Sequence, residues 1–404
     1  MTFNAQDVTK RRVAVVSVGV VSPLGSGLAQ TLESLRAGRD CVTPVSRFDV
    51  ARCRCKTAGQ INFDELVTDN PRTKRRLHPA SHMMIQALGQ AVKHDPKFQP
   101  QAAVIGTTSG GMSFGEQYYR ALSSSESLRQ SPRWIANYPP HKPVVDALDT
   151  FKLSVPCTVI ANACASGTNA IGHAFNCIRS GQYERILTGG YDAISELVFV
   201  GFDSLQAATP DKCRPFDANR SGMVLGEGAA VLALEEWDSA QGRGAEILAE
   251  VSGYGISTDN HHLTQPDPSG IGPRAAMQQA LLTAGIASEA VDYVNAHGTA
   301  TRFNDAAEGK AIEELLGRDV PVSSTKSMMG HSLGAAGAIE AVVCLLALQH
   351  GFLPPNINFT VPDNELHIRV VPNQAREKML SNVLSNSFGF GGTNASVLFA
   401  RSRS

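Results

Sequence analysis

Strand-like runs alternate with helix-like runs from one end of the chain to the other, and this limits the fold more than any other feature. The β-rich runs are VAVVSVG from Val13, AAVIGTT (Ala102 to Thr108), CTVIANA (Cys157 to Ala163), RILTGG (Arg185 to Gly190) and AAVLALEE. Further along come VDYVNAH, VPVSST, NVLSNSFGF and ASVLFA. The pattern predicts α/β layering with largely parallel sheets. The polar, glycine-bearing stretch WDSAQGRG, Trp237 to Gly244, is the natural seam between two halves, 1–240 and 241–404. In open α/β sheets the chemistry gathers at strand ends, and the informative residues of this chain lie there.

Composition excludes several classes. Among 404 residues, 36 basic side chains nearly cancel 37 acidic ones, so neither nucleic acid nor a membrane surface is an expected main partner. The longest apolar run, Ala341 to Leu348, falls short of the ~18 residues of a membrane span. KRRVAVVSVGVVSPLGSG, Lys10 to Gly27, has the basic start and apolar run of an export signal. Its β-branched residues and its Ser22-Pro23-Leu24-Gly25 ending suit a buried first strand better. The eight cysteines are scattered, which predicts reduced thiols and a cytoplasmic location. The proline-rich loop SPRWIANYPPHKP, Ser131 to Pro143, reads as a lid or interface, with a plain surface loop as its rival.

Cys164 lies where the strand run CTVIANA gives way to a helical pattern. A helix N-terminus favours a thiolate, and Ala163, Ala165, Ser166 and Gly167 are small enough for a sharp turn. Most cysteines are packed rather than reactive, and Cys157, Cys177 and Cys344 are read that way. From the local sequence alone, Cys164 fits either role.

Two histidines occupy comparable junctions later in the chain. His297 ends the run VDYVNA and is followed by Thr299 and Thr301, while His331 follows Lys326 in SSTKSMMGHSLGAAGA. The second stretch also contains Gly330-His331-Ser332-Leu333-Gly334, a serine-hydrolase elbow pattern, with Asp363 and His367 as possible partners of Ser332. No HGGG-type oxyanion stretch precedes it. NSFGFGGTNAS, Asn386 to Ser396, has neither the lysine of a phosphate loop nor Rossmann spacing.

Taken together, NACASG, RPFDANRSGMVLGEGAA, NAHGTATRFNDAAE, SSTKSMMGHSLGAAGAIE and NSFGFGGTN give a chain that resembles the β-ketoacyl-acyl carrier protein synthases almost end to end. The resemblance implies a thiolase-like five-layered αβαβα fold with two related halves. It also implies decarboxylative Claisen condensation, in which acyl-Cys164 is attacked by the enolate of malonyl-acyl carrier protein. The backbone N–H groups of Cys164 and Phe390 resemble the family's oxyanion hole, where one such donor is worth about 3 kcal/mol of barrier. His297 and His331 match the paired histidines that hold the enolate oxygen, and Lys326 with Glu308 match a buried charged pair.

Thr299 and Thr301 match hydroxyls that line the phosphopantetheine tunnel, and Phe390, with Phe388 near it, matches a gate. Asn295, Glu340, Ser385 and Asn386 match a structural cation or hydrogen-bond centre. Arg72, Lys74, Arg75 and Arg76 match the docking segment for the acidic acyl carrier protein. No cofactor is implied beyond the carrier's phosphopantetheine, and a homodimer or a heterodimer with a chain-length subunit is expected.

Two departures point to a specialised polyketide or polyene enzyme. NYPPHKPVVDALDTFKLSVPC lacks the family's usual glycine-rich pattern, and Asn162 stands where threonine or serine is common. A thiolase-type acyltransferase and a non-catalytic chain-length partner are the remaining alternatives. The first would need a second cysteine in a C-x-G motif, and the second commonly lacks the cysteine retained here.

Overall fold

The computed structural model describes residues 11–63, 66, 77–124 and 131–402. Five strands of the first half, β1 (Val13–Ser22), β2 (Ala102–Gly106), β3 (Cys157–Ile160), β4 (Arg185–Asp192) and β5 (Gly228–Glu236), are hydrogen-bonded in the order β3-β2-β4-β5-β1. Five strands of the second half are β6 (Ala249–Thr258), β7 (Tyr293–Asn295), β8 (Pro321–Ser323), β9 (Asn382–Gly389) and β10 (Thr393–Ala400). Their order, β8-β7-β9-β10-β6, repeats that of the first half. Strand directions repeat as well: β5 and β10 each run antiparallel to both neighbours, and the other contacts within each set are parallel. The two halves are therefore structurally related, and each sheet is mixed rather than largely parallel.

A short antiparallel ladder, Val13–Val15 against Val251–Ala249, stitches the two sheets together. β6 does not stand out among the strand-like runs of the sequence. Its segment, AEVSGYGIST, is interrupted by Gly253 and Gly255, which break the apolar periodicity. The glycines have a packing cause. Cβ atoms at these positions would each lie 2.1 Å from a backbone oxygen of helix α3 (Ile271–Ala284), that of Ala280 or of Ala276.

Helix α1 (Pro79–His94) and the helix Lys142–Thr150 cover the outer face of the first sheet. Helices α3 and α4 (Arg302–Leu316) cover the outer face of the second. Between the sheets lie α2 (Ser166–Arg179) and α5 (Ala336–His350), which completes an αβαβα sandwich of the thiolase-like kind. Every residue of β1 is buried, as a strand covered on both faces requires.

Residues 336–348 of α5 are also all buried, Glu340 included. With the turn before it, Leu333–His350 has the length and mean hydropathy (1.6) of a membrane span, more than the run from Ala341 to Leu348 suggests. Its window is 89% buried inside the fold, as a central core helix should be.

The two sheets differ at their outer edges. β8 is covered by a further parallel strand, Arg369–Val370, whereas among the described residues β3 ends its sheet, with Cys157 and Thr158 exposed. Cys157 is therefore not a packed core thiol, although Cys177 and Cys344 are buried. All eight cysteines are free.

Candidate functional site

Cys164 sits in a single 3-10 turn, Ala163–Ala165, between β3 and α2. The residue before it, Ala163, has φ 56°, a left-handed conformation that a side chain adopts only under constraint. The Ser166 hydroxyl donates to the Ala163 carbonyl at 2.6 Å and accepts from the Asn162 N–H at 2.9 Å, which closes the turn. Gly167 is required on the far side: a Cβ there would lie 2.8 Å from the Gly334 carbonyl oxygen of the other half.

The second half delivers the histidines. His297 follows β7, and the loop carrying it is pinned by Glu308 of α4, whose carboxylate accepts from the backbone N–H groups of His297 and Gly298, both at 2.8 Å. Asn386 adds a third donor at 3.1 Å. Burial nevertheless raises Glu308 to about 7. His331 precedes a turn at Leu333 (φ 52°) that mirrors the one at Ala163. The Leu333 N–H donates to His331 Nδ1 at 3.2 Å, so the ring proton is on Nε2, which is buried and has no partner.

The Cys164 sulfur and one nitrogen from each histidine lie within 4.8 Å of one another, and the two imidazoles meet edge to face with centroids 5.2 Å apart. Burial, reinforced by the Lys326 cation, drives both histidines well below their ordinary range, so they are neutral. Burial also pushes the Cys164 thiol up to about 12, despite the opposing pull of Lys326 and of the Phe390 and Cys164 N–H groups directed at the sulfur. The helix start does not by itself supply a resting thiolate, because desolvation outweighs it.

Lys326 is fully buried, and its ammonium pairs with Glu340 rather than with Glu308 as the sequence suggested. Glu340 projects from α5 into the inner layer beside it, whereas Glu308 is taken up by the His297 loop. Among the described residues, the buried Asn295 Oδ1, Ser385 Oγ and Glu340 Oε2 find no hydrogen-bond partner, and hard oxygens of this kind fit a cation. The Asn386 side chain is already committed, to Glu308 and to the Ser396 hydroxyl.

A cavity of about 450 Å³ opens above the sulfur, lined by Thr299, Thr301, Phe388 and Phe390 together with both histidines. The Thr299 and Thr301 hydroxyls are 2.8 Å apart. Phe202, from the helix Glu196–Ser204, holds its ring 5.5 Å from that of Phe390. Arg54 and Arg302, both exposed, also line the opening. The loop around Leu263 is zipped to the glycine pair after Phe390 by Gly391 N–H to Leu263 O (2.7 Å) and Asp259 N–H to Gly392 O (2.9 Å). Phe202, Arg54, Arg302 and this loop carry no local sequence signal, because their role comes from distant segments meeting in space.

The serine-hydrolase alternative does not assemble. Asp363 is held by Arg220, His367 is exposed, and Ser332 is buried with its hydroxyl unpartnered. The basic run Arg72, Lys74, Arg75 and Arg76 lies outside the described residues.

A buried cysteine and two neutral imidazoles, delivered by opposite halves of a duplicated αβαβα scaffold to the lining of one cavity, define an acyl-transferring enzyme of the thiolase-like class. The chain belongs to the β-ketoacyl synthase family: residues 10–240 match the family's N-terminal domain and residues 248–360 its C-terminal domain. It is 38% identical to a 3-oxoacyl-[acyl-carrier-protein] synthase 2 of Coxiella burnetii, over 97% of this chain and 99% of that one. It is 37% identical to a putative polyketide beta-ketoacyl synthase 1 of Streptomyces halstedii, over 96% and 97%. Among solved structures it is similar to the ishigamide ketosynthase/chain length factor, with a TM-score of 0.91 and 34% identity over 98% of this chain and all of that one. A ketosynthase (ApeO) in complex with its chain length factor (ApeC) from Xenorhabdus doucetiae aligns with a TM-score of 0.85 and 28% identity over 98% of this chain and all of that one.

Proposed function

We propose that this chain is an elongating ketosynthase that condenses a Cys164-bound acyl group with malonyl-acyl carrier protein, in fatty acid or polyketide biosynthesis. The observation that carries the reading is the convergence of the Cys164 sulfur with two neutral imidazoles, all within 4.8 Å, in the lining of the cavity.

As the sulfur attacks the incoming thioester, the carrier's C–S bond breaks and the thiol proton passes to the departing carrier sulfur. Malonyl carrier protein then enters, and its carboxylate departs as carbon dioxide. The electron pair of the broken C–C bond becomes an enolate, whose oxygen accepts from the Nε2–H of His331 and from His297.

The enolate carbon attacks the acyl-Cys164 carbonyl, and the Cys164 and Phe390 N–H groups receive the tetrahedral oxyanion. Release of the β-ketoacyl carrier frees the sulfur, which takes a proton from solvent. Neutral imidazoles suit the enolate step because each can present an N–H to the developing oxyanion and keep that proton on the ring.

Thr299 and Thr301 line the path of the phosphopantetheine arm, Phe388 and Phe390 flank the reacting carbon, and burial, reinforced by Lys326, keeps the histidines uncharged. Glu308 positions His297. Asn295, Ser385 and Glu340 would hold a structural cation that balances local charge; no step passes through it. The reaction needs no cofactor beyond the carrier's own arm.

Arg72, Lys74, Arg75 and Arg76 dock the acidic carrier, and Arg54 and Arg302 at the cavity mouth add to that attraction. The division between halves lies at residues 240/241, and the enzyme works in the cytoplasm. Because the ApeO structure is a complex with a chain length factor and another similar ketosynthase structure includes its acyl-carrier protein, we assign this chain an acyl carrier protein and a second subunit, either its own copy or a related chain-length subunit.

Incubation with a panel of acyl carrier proteins, followed by mass spectrometry, should find the acyl adduct on Cys164 and rank chain lengths. Cys164→Ala should lose both adduct and condensation while keeping its fold by circular dichroism. Full condensation by that variant would overturn the mechanism.

A further inference from the structure

The carboxylate of Asp192, at the end of β4, is fully buried and accepts hydrogen bonds from five donors. Oδ1 accepts from the Thr107 hydroxyl (3.0 Å), the Ser109 N–H (2.8 Å) and the Ser109 hydroxyl (2.8 Å). Oδ2 accepts from the Thr108 N–H (2.8 Å) and, across the boundary between halves, from the Gly334 N–H (2.6 Å). None of these donors touches the reacting atoms, yet two of them lead directly to groups that do.

On one side Thr108, held through its N–H, donates its hydroxyl to the Ala163 carbonyl at 3.0 Å. Ala163 is the left-handed residue that turns the chain into Cys164. On the other side Gly334 follows Leu333, the second left-handed residue, whose N–H fixes the tautomer of His331. A Cβ at Gly334 would lie 2.7 Å from Asp192 Oδ2 and 2.6 Å from the Thr107 carbonyl carbon, so only glycine brings this N–H so close. Each left-handed residue costs about 1–2 kcal/mol and persists only where its surroundings hold it.

We propose that Asp192 is a positioning residue that locks the nucleophile turn of one half and the histidine turn of the other into a single register. Its carboxylate acts through Thr108 on Cys164 and through Gly334 on His331. One anion thereby sets the separation of two groups that belong to different halves. A neutral amide cannot replace it, because an amide has one acceptor atom and would aim its NH₂ at N–H donors.

The inference rests on the ketosynthase reading for its assay but not for its geometry. Asp192→Asn should lower kcat for condensation about a hundredfold, as a misplacement on the ångström scale does. KM for malonyl carrier protein should stay within about twofold, because Asp192 does not line the cavity. Thr108 is exposed, so Thr108→Val should fold even if Asp192→Asn does not. It removes only the link to Ala163, and should slow acylation of Cys164 while leaving malonyl decarboxylation, which depends on His331, at the wild-type rate.

A folded Asp192→Asn enzyme with wild-type kcat would overturn the proposal, as would equal losses of acylation and decarboxylation in Thr108→Val. A wild-type chain that condenses nothing would instead count against the ketosynthase reading and leave the Asp192 geometry as it stands.

Discussion

Cys164 is more deeply desolvated than its place at a helix start suggests, and this sets its chemistry. A thiol pushed up to about 12 is protonated at neutral pH, and its reactive thiolate fraction grows as pH rises. The charged or titratable groups that face it are Lys326 and Asp192, with the two histidines beside it. Alkylation by iodoacetamide should therefore climb roughly tenfold per pH unit from neutrality upward, without levelling off below about pH 9. A plateau near neutrality would mean a standing thiolate–imidazolium pair. His331→Ala and His297→Ala should each depress carbon dioxide release from malonyl carrier protein by a factor of about 10²–10³, the cost of one oxyanion donor. Unchanged release would remove them from the enolate step.

The residues that converge on the cavity were legible because Cys164, His297, His331 and Phe390 each lie in a short ordered motif. Their partners were not. The family resemblance pairs Lys326 with Glu308, yet Glu340 answers the lysine, because α5 brings it into the same buried layer while the His297 loop occupies Glu308.

Among the elements, β6 illustrates what periodicity cannot reveal. Apolar alternation finds a strand when packing is done by side chains, but here the helix α3 approaches the strand backbone itself, and glycine is the residue that permits it. Gly253→Ala should destabilise the fold by about 1–3 kcal/mol through overpacking, visible as a lower urea midpoint with unchanged m-value. An unaltered midpoint would show that α3 can retreat at no cost. The antiparallel courses of β5 and β10 were hidden for a different reason: strand direction depends on connections through space, and the residue pattern of a buried strand is the same either way.

For the molecule as a whole, the first half carries both the β3 edge, which no further strand pairs among the described residues, and a set of exposed apolar side chains on or next to its helices. Tyr119, Leu122, Leu197, Val200 and Leu205 are each at least 42% exposed. The helices that carry Tyr119 and Leu197 are tied together by the Arg120–Glu196 ion pair and by the Leu197 N–H on Glu116. An unpaired strand edge and apolar helix faces in one half are what a subunit interface leaves behind when its partner is removed. Leu197→Glu should shift the sedimentation of the purified protein from twice the chain mass to once. A Leu197→Glu protein that still sediments as a dimer would place the interface elsewhere.

The buried helix Leu333–His350 has a bearing on how the chain is made. Until it is covered, it presents a newly synthesised polypeptide with a segment that a membrane-insertion apparatus could accept. In the natural order the half carrying α2, against which it packs, has already left the ribosome when this helix appears, so a docking surface is waiting. A circular permutant that began at the second half would leave the helix uncovered until residues 351–404 and then 1–179 had been translated, on the order of half a minute at typical rates. In chain order, the surface that covers this helix is therefore synthesised before the helix itself.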